Sequence, residues 1–227
     1  MEIIYEDNHI IVVNKNVSEI VQVDKTNDVS LEIRLKDYIK EKYNKPGEVF
    51  IGVVHRIDRP VSGLVLFART SKALTRLNDM FKEKRIEKIY WAIVKDRPTE
   101  PEGTLVHYIT RNTKTNKAYC YLKEVAGSKK CILHYKIIAS SDKYHLLEIN
   151  LETGRHHQIR CQLSAIGCPI KGDLKYGSPR SNPDGGISLH SRKISFIHPV
   201  KDEPMVFEAP VPTESLWKAF DDMLKKR

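Results

Sequence analysis

No stretch of this 227-residue chain approaches the ~20 consecutive apolar residues that a membrane-spanning helix needs, so the sequence reads as a soluble protein with no membrane partner. The N-terminus, MEIIYEDNHIIVVNK, lacks both the basic start and the unbroken apolar run of a secretory signal, and a cytoplasmic location is expected. Cysteine is scarce. Cys120, Cys131, Cys161 and Cys168 contain no CxxC pair, and nothing points to an oxidising compartment, so they read as unbridged thiols. His156 and His157 are adjacent, and neighbours on a helix point about 100° apart, so no metal is expected there. The chain also lacks a GxxxxGK[ST] phosphate loop, an internal repeat, a low-complexity tract and a Gly/Ser linker. One domain over residues 1–227 follows.

Cationic charge is abundant. Lys and Arg outnumber Asp and Glu by 38 to 29, a formal charge of +9. This favours a polyanionic partner, because neutralising phosphates releases counterions. A solvated basic surface has the same composition.

MEIIYEDNHIIVVNK reads as a hairpin turning at EDNH. Ser30 caps a helix LEIRLKDYIKEKY with Leu31, Leu35, Tyr38 and Ile39 on one face. VFIGVV reads as a strand, Ser71 as the cap of a helix KALTRLNDMFKEKR, and KIYWAIV as another strand. Four strand-like runs between Gly103 and Thr153 suggest an antiparallel meander. RHHQIRCQLSAIG reads as a short helix stopped by Gly167, followed by a last strand pair and a helix ESLWKAFDDMLKK. The fold class expected is α+β, a large and mostly antiparallel sheet flanked by a few helices.

Two clusters carry chemistry. In HRIDRPVSGLVLF, Asp58 stands between Arg56 and Arg59 just ahead of an apolar run. Taken alone, it reads as a salt bridge fixing a strand entrance, with the nearby cations keeping the carboxylate ionised. In ETGRHHQIRCQLSAIGCPIKGDLKYG, the residues from Arg155 to Arg160 crowd the first turns of a short helix, with His156 and Arg160 four apart on one face. A solvated helix face and an anion or nucleic-acid contact are equally consistent with that pattern.

Together with KIYWAIV, these stretches resemble the RluA-type pseudouridine synthases. HRIDRPVSGLVLFART is similar to their HRLDxxTSGLLLxAK signature, and GRHHQIRCQLSAIGCPIKGDLKYG to their GRxHQIRxHLxxxGxPIxGDxxYG element. The likeness extends to EDNHIIVVNK and LHSRKISFIHP. It implies a cofactor-free isomerase that converts specific uridines of structured RNA, ribosomal RNA or tRNA, to pseudouridine. It also implies the family's catalytic fold. Asp58 matches the family's catalytic aspartate, Tyr90 its active-site tyrosine, and Arg160 the arginine that pairs with the aspartate. Ile159 is the implied apolar contact to the flipped uracil, and Arg56 the residue filling the gap it leaves. Arg59, Arg155 and Lys171 are expected to contact the RNA backbone, and Lys15 is placed with the substrate-binding residues. The family's KPxG is here KNVS, with Asn16 for proline, and Ile57 and Val61 replace leucine and threonine. A separate N-terminal RNA-binding domain, common in relatives, is not expected, and a monomer is. The rival expectation is an RNA-binding or ribosome-assembly factor that does not catalyse. A phosphate-handling enzyme lacks its loop and metal.

Overall fold

The computed structural model describes residues 1–23 and 28–226. In chain order its elements are β1 (Glu2–Glu6), β2 (Ile10–Lys15), α1 (Leu31–Lys42), β3 (Gly52–Val53), β4 (Ser62–Ala68), α2 (Ser71–Lys82), β5 (Glu87–Val94) and β6 (Glu102–Asn112). There follow β7 (Lys117–Tyr121), β8 (Lys129–Ser140), β9 (His145–Leu151), α3 (Gln158–Ala165), β10 (Leu189–Ile197), β11 (Pro204–Glu208) and α4 (Ser215–Lys225). The class is α+β, without βαβ alternation. No described helix is long and apolar enough to cross a membrane.

The chain divides into two compact units: Met1–Glu87 with Ser191–Pro210, and Lys88–His190 with Val211–Arg227. In the first, the strand order is β1-β2-β4-β10, with β3 also on β4 and β11 on β10. The opening hairpin forms as expected, because Asp7 Oδ1 accepts the N–H groups of His9 and Ile10 and closes the turn. Ser30 caps α1 by accepting from Ile33 N–H. At α2 the cap is Thr70, one residue before the expected Ser71, its Oγ1 accepting from Ala73 N–H at 3.2 Å. VFIGVV shortens to the two residues of β3.

β4 is buried along its whole length, and β2 is buried except at Asn14, so both faces of these strands are covered and their sequences run apolar instead of alternating. Ile10, Val12, Leu64 and Leu66 pack with Ala73, Leu77 and Met80 of α2 and with Ile194 and Phe196. β4 starts with Ser62 and Gly63. Gly63 has φ +109°, and a Cβ there would stand 2.3 Å from Ser191 O. Only glycine lets β10 approach so closely.

The second unit orders its strands β5-β9-β8-β6-β7, and its β5–β9, β9–β8, β8–β6 and β6–β7 pairs are antiparallel. It departs from a simple meander: β8 returns to pair with β6, which lies between β7 and β8. Trp217 and Phe220 of α4 pack on Trp91, Ile93 and Leu146. Cys161 of α3 packs on Ile109, Ala118 and Cys131. Tyr90 pairs with Ile149 and Ile149 with Tyr135. Since laterally paired residues share a face and Tyr135 is four residues from Cys131, Tyr90 lies on the face that α3 covers.

Gly63→Ala combines left-handed backbone strain with overpacking, each costing ~1–3 kcal/mol. The expected loss is about 3 kcal/mol or more, read from the urea midpoint; an unchanged midpoint would refute the close β4–β10 approach.

Candidate active site

In the first unit Asp58 lies in the connection between β3 and β4. It is half-buried, and its carbonyl accepts Val61 N–H at 3.0 Å, making a turn at Arg59–Pro60. What fixes this turn is Lys15. The side chain is completely buried, and Nζ donates to the carbonyls of Asn16 at 2.8 Å, Glu19 at 2.9 Å and Arg59 at 3.1 Å. All three ammonium donors are thus satisfied by backbone. The Arg59 carbonyl also accepts Ser18 N–H at 3.0 Å. Lys15 is therefore not a substrate-binding residue as expected, because it has neither exposure nor a spare donor. It holds the chain next to Asp58. Burial pushes its ammonium down to about 7, while Glu19 and Asp58 pull the other way. The loop with Asn16 instead of proline closes through Glu19, whose carboxylate accepts Asn16 N–H at 2.8 Å. Arg56 is exposed, 3.5 Å from Gln22 Oε1. Arg59 donates to Asp28 at 2.6 Å.

In the second unit Tyr90, 6% exposed, belongs to β5. α3 begins at Gln158, later than expected. His157 has φ +52° and stands outside the helix, so Arg155 and His156 are loop residues and the shared face of His156 and Arg160 does not exist. The helix ends as its sequence indicates: Gly167, at φ +76°, donates to Ser164 O and Cys168 to Leu163 O, the paired bonds of a Schellman motif.

Within α3, Ile159 and Arg160 are both buried. Arg160 Nε and Nη2 donate to the two Asp173 oxygens at 2.7 and 2.9 Å, a bidentate pair. The Tyr176 ring lies 5.0 Å from the guanidinium. Tyr176 Oη accepts Ala118 N–H at 2.8 Å and is 2.8 Å from His157 Nδ1. Burial, then the Arg160 charge, pushes the His157 imidazole down to about 2. His157 is therefore neutral, the tyrosine proton points to Nδ1, and the ring's own proton is on Nε2. Lys171 is engaged within the fold, its Nζ donating to Asn182 at 2.8 Å and Glu214 at 3.0 Å and so tying this loop to the start of α4. Arg155 is exposed.

Asp58, Arg59, Arg56 and Lys15 thus fall in the first unit, and Tyr90, Arg155, Ile159, Arg160 and Lys171 in the second. Sequence reasoning missed Asp173, Tyr176 and the burial of Lys15. The signal for the first two was GDLKYG, two glycines bracketing one acid and one phenol.

Lys15→Met leaves three carbonyls without their donor, a loss of about 2–4 kcal/mol. Because the folded lysine titrates near 7 and the unfolded one near ~10.4, the unfolded chain holds the extra proton between those values. Lys15 therefore adds stability as pH rises through that window, and the gap between wild type and variant widens from pH 7 to pH 9 in urea titrations. Asp173→Asn removes the counter-charge of a buried guanidinium and is expected to cost about 3–5 kcal/mol; a loss below about 1 kcal/mol would contradict the buried pair.

A family profile described as RNA pseudouridylate synthase matches residues 9–165. An RNA pseudouridine synthase of Bacillus subtilis, YhcT, is 31% identical over 218 residues, covering 94% of this chain and 70% of that protein. Ribosomal large subunit pseudouridine synthase D of Zymomonas mobilis is 31% identical over 224 residues, with 94% and 70% covered. A Synechocystis RNA pseudouridine synthase, 31% identical over 215 residues, is matched over 66% of its length. The chain thus spans about two thirds of the length of these curated relatives. Among solved structures, human RNA Pseudouridylate Synthase Domain Containing 4 superposes with a TM-score of 0.79 at 20% identity, covering 99% of this chain and 93% of that one, which shows the shared fold. A profile that takes in Asp58, Tyr90 and Arg160, together with relatives aligned over nearly the whole chain, places it in the RNA pseudouridylate synthase family, a family of isomerases.

Proposed function

We propose that this chain isomerises specific uridines in structured RNA, ribosomal RNA or tRNA, to pseudouridine, working as one cofactor-free catalytic domain, a monomer of the cytoplasm. The N1–C1′ glycosidic bond breaks, the base turns, and a C5–C1′ bond forms. C5 then gives up its proton and N1 gains one, so atoms and electrons balance without an external reagent. Asp58 serves as the nucleophile or base, which requires the ionised carboxylate. Tyr90 lies against the base and takes part in removing the C5 proton. Arg160 supplies the charge partner of Asp58, and Ile159 an apolar wall for uracil.

The observation that carries this reading is the fixing of Arg160. A buried guanidinium gripped by Asp173 on the helix that covers the Tyr90 face has its orientation decided before any substrate arrives. Such preorganisation is what a charge acting in a transition state needs. RNA is supported by the formal charge of +9 and by the exposed Arg56 and Arg155. An enzyme acting on a base must also take it out of the stack, at a few kcal/mol, and offset this with stacking and backbone contacts.

Primer extension after carbodiimide treatment, comparing RNA from a deletion strain with wild type, is expected to lose one or a few pseudouridine stops and so to name the substrate. An unchanged map would favour a binding factor. On that RNA labelled with tritium at C5, Asp58→Asn is expected to lower tritium release by at least about 10³-fold while RNA binding survives. Full activity in the Asn variant would sink the mechanism.

A further inference from the structure

Tyr176 has no part in the reaction described above, yet it stands against the charge on which that reaction depends. Both ends of the residue are tied. Its backbone N–H donates to Asp173 O at 3.0 Å, and its carbonyl accepts from Ser164 Oγ at 2.7 Å. At the far end of the side chain Oη accepts Ala118 N–H and donates to His157 Nδ1, both at 2.8 Å. The ring is thus anchored to α3, to β7 and to the residue before α3, all within the second unit. Arg160 and Ser164 are four apart on α3, so one turn of helix meets this tyrosine at its ring and at its carbonyl. A ring held at both ends keeps its place.

Asp173 grips the guanidinium along one edge, through Nε and Nη2. Two parallel bonds on one edge fix where that edge lies but hold the tilt of the plane about it only softly. The Tyr176 ring lies 5.0 Å from Arg160 Cζ and supplies the second constraint. Its π face is negative, so it attracts the guanidinium as well as supporting it. Both side chains belong to residues that are 5% exposed, so little water competes with the contact. Burial also raises the phenol above its usual range. Oη therefore keeps its proton and remains the donor to neutral His157.

We propose that Tyr176 is a positioning residue for the isomerisation, its ring setting the tilt of the Arg160 guanidinium while Asp173 sets the edge. This rests on the reading of Arg160 as the charge partner of Asp58. The ring is the part that acts, and the hydroxyl keeps the ring in place. Substitution separates the two, because phenylalanine has the ring without the hydroxyl.

The test uses the full chain and tritium release from RNA carrying the uridine that the primer-extension map identifies. Tyr176→Leu is expected to lower kcat about tenfold to hundredfold, since a small misplacement of a reacting or charged group has a large kinetic cost. KM, and the affinity for RNA on an Asp58→Asn background, are expected to change by less than about threefold. Tyr176→Phe loses two hydrogen bonds and is expected to lower the urea midpoint, yet to keep kcat within about threefold of wild type. A merely structural tyrosine would leave kcat of the folded enzyme indifferent to the ring. Wild-type kcat in folded Tyr176→Leu overturns the proposal, as does a Tyr176→Phe enzyme as slow as the leucine variant. Should Tyr176→Leu fail to fold, replacing Tyr176 by pentafluorophenylalanine decides. That side chain has nearly the shape of phenylalanine with the ring quadrupole reversed, and it is expected to lower kcat about tenfold relative to Tyr176→Phe; equal kcat overturns the proposal. Lys117 Nζ also lies 5.4 Å from this ring, so the same comparison is made in Lys117→Met. A fluorine effect that persists there supports the proposal, and one that vanishes belongs to Lys117 and overturns it. A wild-type protein that leaves the RNA map unchanged defeats the isomerase reading instead.

Discussion

A charged group taken out of water must be met by partners that the fold itself supplies, and among the described residues Lys15 and Arg160 show how this chain meets that demand. Lys15 is fully buried with three backbone carbonyls around its ammonium, and Arg160 is buried with both oxygens of Asp173 along its edge. Either cation without its acceptors would cost several kcal/mol, a large share of the net stability of an ordinary domain. The segments that carry those acceptors are therefore not at liberty to move. The loop from Asn16 to Glu19 and the turn at Arg59 are held by Lys15, and the GDLKYG turn is held by Arg160.

The two devices differ in kind. Lys15 works through backbone carbonyls, so it constrains the path of the chain. Arg160 works through a side-chain carboxylate and an aromatic face, and Tyr176 extends that grip to β7 through Ala118 and to His157. Neutral His157, in a left-handed conformation just before α3, is part of the packing. At any physiological pH it neither gains nor loses a proton, so it contributes orientation and no acid–base chemistry.

Much of this was legible in the sequence, for identifiable reasons. The first hairpin, α1 with its Ser30 cap, and the β5 strand depend on local patterns that a short window contains. The unbroken apolar run of β4 was readable as a buried strand because both of its faces are covered. The start of α3 was not readable. A left-handed residue before a helix is usually glycine or asparagine, and a histidine gives no such signal. Asp173 was hidden by its distance from Arg160 in the sequence, and Lys15 by its type, since lysine is almost never fully buried unless its charge is met. Such long-range pairings are invisible to periodicity. Resemblance supplied the candidate site residues, and geometry then separated those that touch solvent from those that hold the fold.

The cradle around Lys15 has a consequence for how such an enzyme can change. It grips the Arg59 carbonyl, an atom that every amino acid possesses, and leaves the side chains at positions 56 and 59 outside its bonds. Variation in the side chains at those two positions therefore leaves in place the backbone that carries the carboxylate between them. The path of the chain and the side chains displayed along it are thus open to separate selection.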